Sequence, residues 1–171
     1  KSGSNYGFDL SFFVSDVIGV GLRINTYKSQ NREKNILIGL PDGSSIISDV
    51  SDNISIDYVG PVLFSHLFNA GKSQAFLLDF SIGYLRYQNN ATFGKNSFQI
   101  LSGTLGLGLG VGYDILISKN FGLGFTISAL AGTLTKLKVS NSFSSIQVNL
   151  DEKEYESLAR VDLTVGLRFY R

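Results

Sequence analysis

Residues Leu101 to Ile117, LSGTLGLGLGVGYDILI, alternate with a period of two. Leu101, Leu105, Leu107, Leu109, Val111, Tyr113, Ile115 and Ile117 share one face, and Ser102, Thr104, Gly106, Gly108, Gly110, Gly112 and Asp114 share the other. Successive strand side chains point to opposite sides, so the pattern predicts a strand with one lipid-like face and one small, polar face. The uncharged run between Lys95 and Asp114 is no helix, because each interior glycine costs a helix about 0.8–1 kcal/mol relative to alanine. Nor is it a phosphate loop, which turns from a strand into a helix N-terminus; here the strand simply continues.

Working outward, six more stretches carry the same alternation: Tyr6 to Val14, Val17 to Tyr27, Ile54 to Phe68, Gln74 to Tyr87, Phe121 to Val139 and Leu158 to Tyr170. Val161, Leu163, Val165, Leu167 and Phe169 oppose Arg160, Asp162, Thr164, Gly166, Arg168 and Tyr170; Phe76, Leu78, Phe80 and Ile82 oppose Asp79, Ser81 and Gly83; Ile18, Val20, Leu22 and Ile24 oppose Gly19, Gly21, Arg23 and Asn25. Most of these stretches exceed the five or six residues usual in soluble strands and match the roughly 9–11 that a tilted strand needs to cross a bilayer. In Phe121 to Val139, Leu130 and Leu134 fall on the polar side, which predicts a bulge or an interior apolar plug.

Composition agrees. Nineteen glycines, thirteen phenylalanines and eight tyrosines against two prolines, with 43% hydrophobic and 17% charged residues, favour one folded all-β domain over disorder or membrane helices. A net charge of +1 gives no basic stripe, so nucleic acid is not an expected partner. The absence of cysteine excludes disulfides, thiolate metal sites and cysteine nucleophiles. There is no methionine, even at position 1, so any signal peptide is expected to lie outside these residues.

Connections alternate in length. Ser15-Asp16, Asn69 to Ser73 and Ser118 to Asn120 are short, whereas Lys28 to Asn53, Gln88 to Ser97 and Ser140 to Ser157 are long and polar. That asymmetry is the short periplasmic and long extracellular pattern of outer-membrane barrels. Leu40-Pro41-Asp42-Gly43, between two isoleucine-rich segments, reads as the tip of a projecting hairpin. Two aromatic girdles are expected: Phe12, Phe64, Phe68, Phe76, Tyr113, Phe121, Phe169 and Tyr170 near the short turns, and Tyr27, Tyr58, Tyr84 and Tyr87 near the long connections.

The chain resembles the small OmpA/OmpX-type outer-membrane β-barrel proteins over nearly its whole length, through this architecture and through the C-terminal run Val165-Gly166-Leu167-Arg168-Phe169-Tyr170-Arg171. That run is similar to the aromatic-ended strand such families present to the barrel-assembly machinery, although here it ends in Arg171. The resemblance implies an up-and-down antiparallel transmembrane barrel of eight strands, seven of them in residues 1–171. It also implies a first strand upstream of Lys1.

Eight charges are expected to face the lumen and form a network: Asp9, Arg23, Asp57, Asp79, Asp114, Arg160, Asp162 and Arg168. Ionisable groups at membrane depth are costly unless they face the interior and pair. Their bland role is structural; their sharper one is an ion path, disfavoured because eight strands leave room only for side chains. The single histidine, His66, adjoins Ser65, but strand neighbours point to opposite faces and make no nucleophile–base pair. The acidic run Asp151, Glu152, Glu154 and Glu156 reads as a solvated loop, with weak Ca²⁺ binding as its alternative.

The expected function is therefore non-enzymatic and cofactor-free: a filled barrel in the bacterial outer membrane that presents long loops. The basic cluster Lys28, Arg32 and Lys34 and the acidic run near Asp151 are the first loop positions of interest. Its expected partners are outer-membrane lipid and lipopolysaccharide, and another outer-membrane or surface protein. The alternatives are a small pore, a lipid-modifying enzyme and a soluble lipocalin-like carrier, the last of which would invert the two faces.

Overall fold

The computed structural model describes residues 2–39, 45–94, 96–141 and 143–170, with residues 38 and 39 described through their backbone. It is all-β. Seven strands make one antiparallel path: β1 (Ser4–Phe13), β2 (Ile18–Gly39), β3 (Ser45–Phe68), β4 (Gln74–Phe93), β5 (Asn96–Ser118), β6 (Phe121–Leu134) and, after an excursion, β10 (Arg160–Phe169). The excursion holds β7 (Lys136–Ser140), β8 (Ser145–Asn149), a 3-10 turn (Glu152–Glu154) and β9 (Glu156–Ser157). The described residues thus hold ten strands, against seven expected within residues 1–171 of an eight-stranded barrel: Phe121 to Val139 splits into β6 and β7, and β8 and β9 lie in the expected long connection Ser140 to Ser157. β6 ends at Leu134, and β7 pairs with β5 at Gln99 to Leu101 and with β8.

Two of the expected long loops are strand instead. β2 and β3 remain paired out to Gly39↔Ser45, and β4 and β5 out to Phe93↔Asn96. β2 shifts register between Glu33 and Ile36, where Asn35 takes φ 55°, a left-handed conformation that asparagine tolerates. The Leu40-Pro41-Asp42-Gly43 tip lies outside the described residues. At the opposite end the turns are short and locally bonded: Asn69 Oδ1 accepts from the backbone N–H groups of Ser73 (2.9 Å) and Gln74 (3.1 Å), and Ser15 Oγ accepts from that of Ile18 (3.0 Å).

The sheet curls so that side chains from distant strands meet on one face. Arg160 on β10 donates to Asn25 on β2, and the His66 ring on β3 lies 6.0 Å from that of Tyr170 beyond β10. Successive antiparallel pairings leave β1 and β10 running in the same direction, and they share no ladder among the described residues. The sheet is open along that seam.

Candidate functional site

Hydrogen-bonded partners share a face, so the register sorts side chains into rows across the sheet. One row is Phe8, Ile24, Val59, Tyr84 and Leu105; two rows on come Phe12, Val20, Leu63, Phe80, Leu109, Ala129 and Val161. All of these face away from the enclosed side, and the large ones are exposed, Phe80 by 45% and Leu163 on β10 by 80%. The belt continues through Phe76, Tyr113, Phe125, Val165, Leu167 and Phe169. Its upper boundary is abrupt: the next row is Tyr6, Thr26, Asp57, Arg86 and Gly103.

The enclosed face is layered. Its middle holds ionic groups. Arg23 donates to Asp9 through Nε and Nη2 (both 2.9 Å) and to Asp79 through Nη1 (2.6 Å). Arg160 Nε donates to Asp162 at 2.9 Å. Arg168 lies 3.5 Å from Asp114, which accepts a 2.6 Å hydrogen bond from Tyr170 Oη. Toward the short turns sits an apolar cluster of Val62, Phe64 and Leu77 with Phe13. Toward the long hairpins sits a larger one: Ile56, Tyr58, Leu85, Tyr87, Leu130, Leu134 and Leu158. Leu130 and Leu134 are therefore the interior plug that their off-pattern positions suggested. A cavity of about 580 Å³ remains between these groups and opens at the β1/β10 seam.

Seven of the eight expected interior charges do lie on the enclosed face: Asp9, Arg23, Asp79, Asp114, Arg160, Asp162 and Arg168. Asp57 does not. It sits between half-buried Thr26 and exposed Arg86 on the outer face, where its Oδ1 accepts from Thr26 Oγ1 at 2.9 Å, because β3 turns its even-numbered residues inward.

The aromatic positions also need correction. Phe76, Tyr84, Tyr113 and Phe169 face outward, with Phe12 beside them, and Phe121 packs on Phe169 at 5.5 Å. Phe64, Tyr58 and Tyr87 are instead buried in the interior clusters, and Tyr27 lies under the Arg160 guanidinium at 5.0 Å. Phe68 and Tyr170 pack with His66 at the lower end of the enclosed face. Position along the chain indicated height but not face.

His66 and Ser65 lie on opposite faces, the histidine ring 4.7 Å from that of Phe13. The acidic run is split: Glu152 and Glu154 sit in the 3-10 turn, while Glu156 pairs with buried Leu134 in β9. Among the described residues no three His, Asp or Glu side chains are grouped to hold a metal ion. Compared with family models, with curated proteins and with solved structures, the chain gave no match in any of the three.

Proposed function

We propose that this chain is an integral outer-membrane β-barrel protein of the OmpA/OmpX type. On this reading it acts as a structural and interaction protein, through polar hairpins standing above the membrane, and not as an enzyme. The observation that carries the reading is the outward belt. Contiguous exposed apolar patches on water-soluble monomers rarely exceed a few hundred Å², whereas this belt runs across all seven strands of the path. On β3, β4 and β10 it is nine residues long, Val59 to Leu67, Phe76 to Tyr84 and Val161 to Phe169, which suits a tilted strand in hydrocarbon.

The enclosed ion pairs support the same reading, since charges at membrane depth are tolerated facing inward and paired. One further strand, antiparallel to both β1 and β10, would close the sheet into eight strands and satisfy both backbone edges, which lipid cannot. A soluble lipocalin-like carrier requires apolar side chains inside and charges outside, the reverse of the arrangement along β5 and β10. A pore requires a continuous open lumen, whereas the enclosed face carries ion pairs and two apolar clusters with a cavity of about 580 Å³ between them.

The test is electrophoretic mobility of protein from outer-membrane fractions, unboiled against boiled in SDS. A folded barrel resists SDS until heated, so a mobility shift in protein that only detergent extracts is the expected result. Solubility without detergent and no shift would overturn the reading.

A further inference from the structure

The two rows just above the apolar belt carry an unequal charge. The first is Thr26, Asp57, Arg86 and Gly103; the second is Lys28, Ser55, Gln88, Leu101 and Lys138. Lys136 stands beside them on β7, its carbonyl accepting from Ser102 Oγ. Leu137 packs on the interior cluster, so strand alternation turns Lys136 and Lys138 outward. Four exposed cations, Lys28, Arg86, Lys136 and Lys138, thus face the surroundings with one carboxylate, Asp57, among them.

Among the described residues Arg86, Lys136 and Lys138 make no ion pair. Tyrosine flanks the group. The Tyr84 hydroxyl folds over Gly103, where a Cβ would overlap it, and so lies on the strand between Arg86 on β4 and the lysines of β7. Lys28 sits 5.8 Å over the Tyr6 ring. β4 and β7 flank β5, and adjacent strands are about 4.8 Å apart, so the backbones that carry these cations are roughly 10 Å apart. Arginine and lysine side chains are long enough to converge on one phosphate across that gap.

We propose that Arg86, Lys136 and Lys138, with the Tyr84 hydroxyl, bind the phosphate groups of an anionic lipid headgroup in the leaflet facing the long hairpins, and that Lys28 on Tyr6 extends the same collar. This rests on the barrel reading and deepens it. Charge complementarity and height select a lipid: the cations begin one row above the last hydrocarbon-facing residues, where a headgroup phosphate must lie, and tyrosine is favoured at that depth.

The experiment reconstitutes the full chain in phosphatidylcholine vesicles with and without diphosphoryl lipid A. It measures lipid A retained after detergent extraction, for wild type and for the triple variant Arg86→Gln, Lys136→Gln, Lys138→Gln. All three side chains are exposed, and an unchanged heat-shifted gel band verifies folding. Retention is expected to fall roughly fivefold per charge removed and to resist competition by inorganic phosphate. Equal retention by both proteins, no retention by either, or displacement by inorganic phosphate would each overturn the site while leaving the barrel intact. Failure of the wild type to float with phosphatidylcholine vesicles alone would instead sink the membrane reading, and the site with it.

Discussion

Arg23 on β2 reaches over the intervening β3 to donate to Asp79 on β4 at 2.6 Å, while its other nitrogens hold Asp9 on β1. One guanidinium thereby links β1, β2 and β4 across the inside of the sheet. Arg23→Met leaves the fully buried Asp79 carboxylate unpaired, which should cost about 3–5 kcal/mol. The double variant Arg23→Met, Asp79→Leu should recover much of that loss, since the fully buried carboxylate is then gone and the remaining one, Asp9, is 21% exposed. Urea unfolding in detergent micelles measures both; a wild-type midpoint for the single variant would show that the network contributes nothing to stability.

The belt makes a depth-dependent prediction. Phe80→Arg places a charge in mid-belt and should reduce the stability of folding into vesicles by roughly 2–4 kcal/mol. Asn90→Arg, five rows higher on the same face of β4, should change it by less than about 0.5 kcal/mol. Equal effects of the two substitutions would mean that the belt is not in hydrocarbon.

Glycines on the enclosed face are not equivalent. A Cβ on Gly110 would lie 2.2 Å from Asp79 Oδ2, so Gly110→Ala must displace the carboxylate that Arg23 holds. A Cβ on Gly166 would have no heavy atom nearer than 3.9 Å. Gly110→Ala should therefore be clearly destabilising, whereas Gly166→Ala should be neutral or stabilising by up to about 1 kcal/mol through reduced chain entropy. Thermal midpoints in one detergent rank the two, and the reverse order would refute the register between β4 and β5.

Above the belt, the Tyr87 phenol is pushed up to about 12 by burial and then by the negative charges of Glu156 and Asp52. The folded state favours the protonated form. Its contribution to stability is therefore complete below the ordinary tyrosine value near 10 and is lost as pH rises through about 12. Tyr87→Phe should abolish that component, giving an alkaline unfolding midpoint less sensitive to pH across the interval. An unchanged pH dependence would place the titration elsewhere.

How much of this was legible depended on what lay behind each strand. β5 and β10 were readable residue by residue because one neighbour is apolar surroundings and the other a small, polar interior, so the two faces differ in composition. β3 was not. Ile54, Ile56 and Tyr58 point inward while Val59, Leu63 and Leu67 point outward, so both faces are apolar near the crossover and alternation alone assigns neither. The misplacement of Asp57, Tyr58 and Phe64 follows from that ambiguity, and Tyr27 and Tyr87 were misplaced because the upper interior is an apolar cluster, not a continuation of the charged layer. Likewise Lys28 to Asn53 looked like a loop because its residues are polar, yet hairpin pairing satisfies their backbone without needing an apolar face.

Strand number along the path, the places of the short turns and the face on which most charges lie were determined by the sequence alone, since each follows from a period-two pattern and local turn chemistry. Only the tertiary structure decided which charges meet, where Phe121 to Val139 breaks, and which aromatics enter the interior. Those outcomes depend on cross-strand register and sheet curvature, which bring together residues such as Asn25 on β2 and Arg160 on the edge strand β10, and no local pattern encodes a partner that far away.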